Sequence, residues 1–159
     1  MLLAQYYDCL VDWNKRLGRE LPFLKRLIPG RRVLVAACGT GGHLPALAQA
    51  GFDEAGIDSS AEMGEAARLK GAGRVEQMPL ERCSGLGRSF DAVLCLGNVL
   101  PGLSEPNQNL NYDRRWREKT RFFPLLSGRR VPATGNMGCY GGEPFDIERS
   151  GDLLLAAWK

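Results

Sequence analysis

A glycine-rich turn after an apolar run is the part of this sequence best suited to binding a ligand. The run VLVAAC over residues 33–38 is typical of a strand buried on both faces of a parallel sheet. The turn that follows contains Gly39 and Gly41, which let the backbone approach a ligand closely beside the start of the next helix. Asp58 ends a second short strand, nineteen residues after Gly39. A carboxylate at this position can accept hydrogen bonds from both hydroxyls of a ribose, so the pair predicts a dinucleotide site or an adenosyl site.

The spacing of the glycines separates these two kinds of ligand. A dinucleotide fingerprint needs a third glycine three residues after the second, which would be position 44. Leu44 stands there. The third glycine lets the helix pack near a pyrophosphate, and S-adenosylmethionine has no pyrophosphate. The pattern therefore favours an adenosyl sulfonium over a nicotinamide or flavin cofactor.

Alternating strands and helices must position this turn. The predicted strands after the first are 54–57, 74–78 and 90–98, and the predicted helices between them are 44–51 and 61–70, the second capped by Ser59 or Ser60. Strand followed by helix in this rhythm predicts an α/β fold with right-handed connections. Upstream, apolar residues spaced three or four apart across 2–28 predict helix, which Gly18 and Pro22 are expected to divide in two.

The rhythm ends after Pro101. Residues 104–113 are polar and turn-like, and 127–144 are rich in glycine and proline with no period. DLLLAAWK at 152–159 reads as a last strand. If no other strand covers the fourth, its apolar edge would be an aggregation hazard. We therefore expect the last strand to lie beside the fourth.

Composition and charge exclude several classes of protein. The chain has 159 residues, the size of one domain, and its net charge of +3 is too small to imply a polyanionic partner. No apolar stretch approaches the roughly 20 residues of a membrane span, and the first residues lack a signal peptide, so we expect a cytoplasmic protein. Cys38 and Cys95 read as small core residues. The single histidine, His43, is expected to face solvent, and no metal site is predicted.

Several stretches together resemble one family. VLVAACGTGGHLPALAQAGF, GIDSSAEM and FDAVLCLGNVLPGL resemble successive motifs of class I S-adenosylmethionine-dependent methyltransferases. CLGNV at 95–99 and Asn111-Tyr112-Asp113 are similar to motifs of the glycine/sarcosine N-methyltransferase-like members. The resemblance implies a Rossmann-like three-layer α/β/α fold with a mostly parallel sheet. It further implies one domain, 1–159, with cofactor-covering helices in 1–30, a cofactor-binding core in 31–103 and a truncated C-terminal part in 104–159.

The resemblance also implies a cofactor, S-adenosyl-L-methionine, and a set of residues around it. These are Tyr7, Trp13 and Arg16 closing over the methionine tail, with Arg16 pairing with its carboxylate; Ala37, Gly39 and Gly41 along the methionine moiety; Asp58 and Ser59 at the ribose; Met63, Gln77 and Met78 around the adenine; and Leu96 and Asn98 at the sulfonium. Asn98 and Tyr112 would lie near the methyl acceptor. No catalytic base is implied, because the sulfonium is already an activated electrophile and the protein chiefly aligns the nucleophile.

The chain departs from the family pattern in three places. Val35 stands where many class I enzymes carry an acid, and Leu110 stands where glycine-specific relatives carry an arginine. Most of the fifth strand and part of the substrate-covering region, between Gly128 and Gly138, are missing, so the fold is expected to be incomplete there. Two functions stay open: methyl transfer to a small-molecule amine, or a non-catalytic cofactor-binding remnant. Nucleic-acid binding through the basic, aromatic residues 114–130 is less favoured, because acidic residues interrupt them.

Overall fold

The computed structural model describes residues 2–96 and 154–158. Two helices precede a set of alternating strands and helices, and a strand from the far end of the chain completes the order. The elements are α1 (Leu2–Leu10), α2 (Trp13–Leu27), β1 (Arg32–Ala36), α3 (His43–Gln49), β2 (Asp53–Asp58), α4 (Ala61–Leu69), β3 (Val75–Gln77), a 3₁₀ helix (Leu80–Leu86), β4 (Ala92–Leu96) and β5 (Leu154–Trp158).

The described strands form one sheet in the order β3-β2-β1-β4-β5. β1 pairs in parallel with both β2 and β4, and β2 pairs in parallel with β3. β5 runs antiparallel to β4, with Leu154 opposite Leu96 and Trp158 opposite Ala92. The prediction that the last strand lies beside the fourth is therefore confirmed. The order reverses between β1 and β4, which makes the space above their carboxyl ends the expected ligand crevice of an open α/β sheet.

Both faces of β1 and β4 are buried, which explains why these two strands read as nearly unbroken apolar runs. On one face, side chains of α2, α3 and α4 pack against alternate strand residues in a core that includes Leu24, Val33, Val35, Leu44, Leu47, Ala67 and Leu94. On the other face, the intervening strand residues pack with the 3₁₀ helix in a core that includes Leu34, Ala36, Ile57, Cys83, Phe90 and Val93. The expected Rossmann-like three-layer fold is confirmed.

The two predicted core cysteines are buried as expected. Cys38 is 8% exposed and Cys95 is 1% exposed. Burial raises the pKa of each thiol to about 12, because a thiolate would lose its hydration there. Both groups are therefore uncharged and act as small apolar side chains.

The predicted division of the N-terminal helix was wrong in its position. The break falls at residues 11–12, where the Asp12 side chain accepts a hydrogen bond from the Lys15 amide and so caps α2. α2 then continues through Gly18 and Pro22. A proline ring crowds the carbonyl four residues earlier, and here that residue is Gly18, whose backbone adjusts most easily. Packing of the fully buried Leu24 on the sheet holds the rest of the helix in place.

At the amino ends of β1 and β4, Asp91 ties the two strands together. Its Oδ2 accepts hydrogen bonds from the backbone amides of Arg31 and Arg32, each at 2.9 Å. Its Oδ1 accepts from the Arg32 guanidinium at 3.0 Å. The Arg32 backbone amide, the Arg32 guanidinium and the Arg31 amide together lower the pKa of Asp91 to about 2. The Asp91 carboxylate therefore holds the amino ends of β1 and β4 together.

Candidate functional site

The candidate site lies at the carboxyl ends of β1, β2 and β4, where the strand order reverses. Its centre is the turn between β1 and α3, whose backbone takes an uncommon course. Ala37, Gly39 and Gly41 all have positive φ, at 52°, 57° and 73°. A non-glycine residue such as Ala37 rarely adopts this conformation, and such residues concentrate at functional sites.

Gly39 and Gly41 serve different purposes in the turn. A Cβ added at Gly41 would lie 2.5 Å from Cβ and 2.9 Å from Cα of Ala67, so this glycine lets α4 pack closely on the turn. Among the described residues, a Cβ added at Gly39 would meet nothing within 4 Å. In that part of the chain, Gly39 therefore borders open space at the carboxyl end of the sheet, as a ligand site requires.

Asp58 and the glycine turn meet, as the sequence predicted. Asp58 ends β2 and is buried, and its Oδ2 accepts a hydrogen bond from the Gly39 amide at 2.8 Å. Its Oδ1 accepts from the Ser60 amide at 2.9 Å. A carboxylate oxygen has two lone pairs, so each oxygen keeps the capacity to accept one more hydrogen bond. Within the described residues, these two amides are the donors that the structure gives to the Asp58 carboxylate.

The residues predicted around the adenine follow β2 and β3. Ser60 caps α4 by accepting a hydrogen bond from the Met63 amide at 3.3 Å, and Met63 is half-buried on the first turn. Gln77 ends β3 and donates through Nε2 to the Ser59 carbonyl at 3.3 Å. The Met78 amide donates to the Asp58 carbonyl, and the Met78 side chain packs against the core beside the 3₁₀ helix. Ser59 and Met63 thus lie in the segment that follows Asp58, and Gln77 lies at the carboxyl end of the neighbouring strand β3.

The N-terminal helices cover one side of the turn through Trp13. A Cβ added at Gly42 would lie 2.5 Å from the Trp13 ring, so the indole contacts the turn directly. Tyr7 and Trp13 have ring centroids 6.4 Å apart. The Arg16 guanidinium carbon lies 5.6 Å from the Trp13 ring centroid. The structure therefore brings the predicted cluster of Tyr7, Trp13 and Arg16 together beside the glycines.

A carboxylate that the sequence analysis missed joins this cover to the turn. Oδ1 of Asp8 accepts from the Trp13 indole N–H at 2.9 Å, the Thr40 hydroxyl at 2.7 Å and the Lys70 ammonium at 2.6 Å. Desolvation alone would raise the pKa of Asp8, but the hydrogen bonds from Lys70, Thr40 and Trp13 outweigh it and lower the pKa. One oxygen thus links α1, the start of α2, the turn and the end of α4.

His43 corrects the sequence prediction of a solvent-facing side chain. It is the first residue of α3 and only 5% exposed. Its Nε2 lies 2.6 Å from Oε2 of Glu20, a fully buried carboxylate on α2 that also accepts from Nε of Arg16 at 2.9 Å. The prediction failed because α2 crosses the start of α3 and supplies a charged partner. The edge of the His43 ring also packs against Trp13, with centroids 5.3 Å apart.

The remaining predicted residues lie at or beyond β4. Leu96 is buried at the carboxyl end of β4, in the core shared with the helices. Asn98 and Tyr112 fall outside the described residues. Among the residues that the structure describes, no three histidine, cysteine or acidic side chains are grouped as metal ligands. In the same part of the chain, no helix has the length and apolar character needed to cross a membrane.

Several known proteins are similar to this chain in sequence and fold. Residues 33–115, just over half of the chain, match the methyltransferase domain family. The glycine/sarcosine N-methyltransferase of Aphanothece halophytica is 37% identical over 105 residues, covering 60% of this chain and 39% of that protein. A sugar N-methyltransferase from a Streptoalloteichus species is 32% identical with a TM-score of 0.55, covering 66% of this chain and 43% of that one.

A third protein is similar in fold alone. A TehB-like SAM-dependent methyltransferase from Corynebacterium glutamicum is 12% identical with a TM-score of 0.62, covering 99% of this chain and 98% of that one. The chain spans about two-fifths of the length of the sequence relative from Aphanothece. The family resemblance of the motifs is confirmed, and the chain belongs to the methyltransferase domain family, within the class I S-adenosylmethionine-dependent methyltransferases.

Proposed function

We propose that this chain binds S-adenosyl-L-methionine at the glycine turn and transfers its methyl group to a small-molecule amine. The observation that carries the proposal is the 2.8 Å hydrogen bond from the Gly39 amide to Asp58, beside the space that the described residues leave open in front of Gly39. A turn that leaves room for a ligand thus meets a carboxylate that keeps accepting capacity. These residues fit an adenosyl compound with a ribose and no pyrophosphate.

Each group in the site has a proposed role. Asp58 would accept hydrogen bonds from the two ribose hydroxyls through the remaining lone pairs of its oxygens. Ala37, Gly39 and Gly41 would line the methionine moiety, with Trp13 beside them. When bound, the cofactor supplies an activated methyl group. The protein would hold the acceptor nitrogen in line with it, and a neutral amine would need no general base.

The class of acceptor is proposed from the names of similar proteins. The Aphanothece relative is a glycine/sarcosine N-methyltransferase and the Streptoalloteichus protein is a sugar N-methyltransferase, so both methylate nitrogen. Leu110 replaces the arginine that would hold the carboxylate of glycine. We therefore propose a small amine without committing to an amino acid, with Asn98 and Tyr112 as the residues to test near it.

A non-catalytic cofactor-binding remnant is the second candidate function. The observation that favours it is the departure of the sequence from the family pattern, at Val35 and at Leu110. Compared with the family pattern, the sequence also lacks most of the segment for the family's fifth strand, which is not β5 of this chain, and part of the substrate-covering region. The intact glycine turn and Asp58 are compatible with either candidate.

Calorimetry followed by a transfer assay tests both candidates. The purified chain is titrated with S-adenosylmethionine, with S-adenosylhomocysteine and, as a control, with NAD. Methyl transfer from labelled cofactor is then measured with glycine, sarcosine and an amino sugar. We expect saturable binding of both adenosyl compounds, none of NAD, and transfer to at least one amine. Binding without transfer would favour the remnant, and a flat titration would overturn both candidates.

A further inference from the structure

Glu20 is a fully buried carboxylate whose two oxygens contact two different elements of the site. Its Oε1 accepts a hydrogen bond from Nε of Arg16 at 2.9 Å, one turn earlier on α2. Its Oε2 lies 2.6 Å from Nε2 of His43, at the start of α3. The carboxylate is 0% exposed, and His43 is 5% exposed. The contact therefore joins the N-terminal cover to the residue that immediately follows the glycine turn.

Burial makes this contact depend on the docking of α2. A carboxylate removed from water is costly unless it is paired and hydrogen-bonded. Glu20 receives the contact with His43 only while α2 lies against α3. The pair therefore favours the docked position of the helix and disfavours positions in which the charge would be buried without His43.

His43 and Arg16, which contact Glu20, also contact Trp13, the residue that covers the turn. The His43 ring meets the indole edge on, and the Arg16 guanidinium lies over its face. The indole in turn leaves no room for a side chain at Gly42. The position of Trp13 over the turn is thus fixed on one side by the pair that Glu20 makes, and on the other by Asp8.

Burial of a glutamate in this chain does not by itself indicate such a role. Glu54 on β2 is also buried, at 7% exposure, but its Oε1 accepts from the Gly73 amide at 2.8 Å. Glu54 lies near the amino end of its strand, away from the glycine turn. The two residues therefore provide a matched comparison of a buried carboxylate beside the turn and one distant from it.

We propose that Glu20 is a positioning residue that holds α2 and Trp13 against the glycine turn, and so slows the release of the bound cofactor. The inference rests on the proposed function, because it assigns a positioning residue to the same cofactor site. Glu20 acts on the turn through His43 and Arg16. The contacts of Asp8 remain in a Glu20 variant, so the cover loosens without leaving the fold.

The test uses Trp13 as its own reporter. The chain has three tryptophans, and replacing Trp116 and Trp158 by phenylalanine leaves Trp13 alone. In that background, Glu20→Gln keeps the size of the side chain and removes its charge, and Glu54→Gln is the matched control. Acrylamide quenching without ligand measures the exposure of Trp13, and stopped-flow fluorescence measures release of S-adenosylmethionine. Circular dichroism checks that each variant is folded.

We expect Glu20→Gln to increase quenching of Trp13 and to speed cofactor release about tenfold, which corresponds to about 1.4 kcal/mol. Glu54→Gln should change neither quantity. His43→Gln keeps a nitrogen donor able to reach Glu20 and should release cofactor at nearly the parent rate, whereas His43→Leu should behave like Glu20→Gln. A merely structural role for Glu20 would lower the melting temperature without this pattern.

The two readouts separate failure of the inference from failure of the proposed function. If the parent protein does not bind S-adenosylmethionine, the proposed function fails, and quenching alone then judges whether Glu20 holds the cover. Equal quenching of Trp13 in the parent, Glu20→Gln and Glu54→Gln would overturn the inference whether or not the cofactor binds. Unchanged release from Glu20→Gln would overturn it as well.

Discussion

Asp91 and Asp58 are the same residue type at opposite ends of the central strands, and the protein uses them differently. Asp91, at the amino ends, receives two backbone amides on one oxygen and a guanidinium on the other. Asp58, at the carboxyl ends, receives one backbone amide on each oxygen. Asp91 is thus neutralised by the Arg32 guanidinium, whereas Asp58 keeps the capacity to accept hydrogen bonds beside the glycine turn.

This difference indicates which end of the sheet is built for a ligand. A carboxylate committed to strong internal donors stabilises the fold and has little left to offer a ligand. A carboxylate held only by backbone amides is fixed in position and can still accept from hydroxyl groups. Variants at the two ends should therefore separate cofactor affinity from stability.

The largest effect is expected from Asp58→Asn. The amide that replaces one oxygen cannot accept hydrogen bonds, and the charge is lost. Affinity for S-adenosylmethionine should fall roughly 200-fold, about 3 kcal/mol, as two charge-assisted hydrogen bonds weaken. Calorimetry measures the change. Binding within about threefold of the parent protein would show that the carboxylate does not hold the ribose.

Gly41 and Gly39 should differ in how far a substitution lowers stability and in whether it weakens binding. Gly41→Ala places Cβ against Ala67 at positive φ, so the free energy of unfolding should fall by about 2–3 kcal/mol. Gly39→Ala has open space around its Cβ and should lose only about 1 kcal/mol. Its methyl group would project into the ligand space, however, and weaken binding about tenfold. Urea unfolding and calorimetry on both variants measure the contrast, and equal losses of stability would contradict it.

Asp91→Asn should act on stability and leave cofactor affinity unchanged. The free energy of unfolding at neutral pH should fall by about 1–2 kcal/mol as the charge-assisted bonds to Arg31 and Arg32 weaken. Because the folded-state pKa of Asp91 is lowered to about 2, its contribution is present above about pH 4 and is lost as the pH falls towards that value. Thermal melts of the parent and variant should therefore converge in acid. A constant difference in melting temperature across this pH range would show that the charge of Asp91 does not stabilise the fold.

The smallest effect is expected from Glu54→Gln, a third carboxylate, near the amino end of β2. Its Oε2 is buried and receives no hydrogen bond within the described part of the chain. Burial raises the pKa of Glu54, against the opposing hydrogen bond from the Gly73 amide, so the charged form destabilises the fold as the pH rises. The variant should gain about 0.5–1 kcal/mol at neutral pH and lose this advantage in acid. Thermal melts at both pH values measure it, and a loss of stability at neutral pH would refute it.

The sequence predicted the sheet and the centre of the site because both depend on strands. Long apolar runs mark strands buried on two faces, and parallel strands bring their carboxyl ends to one edge. Gly39 comes shortly after β1 and Asp58 ends the second predicted strand, so their meeting could be foreseen from their positions alone. The pairing of the last strand with β4 could be expected because an apolar edge needs a partner.

The contacts between helices could not be predicted in the same way. Glu20 and His43, or Asp8 and Lys70, meet only because two helices cross at a particular rotation, which the spacing of apolar residues does not specify. The sequence consequently predicts a solvent-facing His43, whereas the structure buries it. The helix break was misplaced for a related reason, since the cap at Asp12 and the packing of Leu24 outweighed the local preferences of Gly18 and Pro22.

The pairing of β5 with β4 also has a consequence for how the chain folds. These strands are far apart in the sequence, so a large loop must close before they meet. During synthesis, the edge of β4 that pairs with β5 lacks this partner until β5 has emerged from the ribosome. An apolar strand edge left unpaired in this interval can join strands of other nascent chains. Substitutions that disrupt the five residues of β5 should therefore reduce the yield of folded protein far more than they change the structure of the remaining strands.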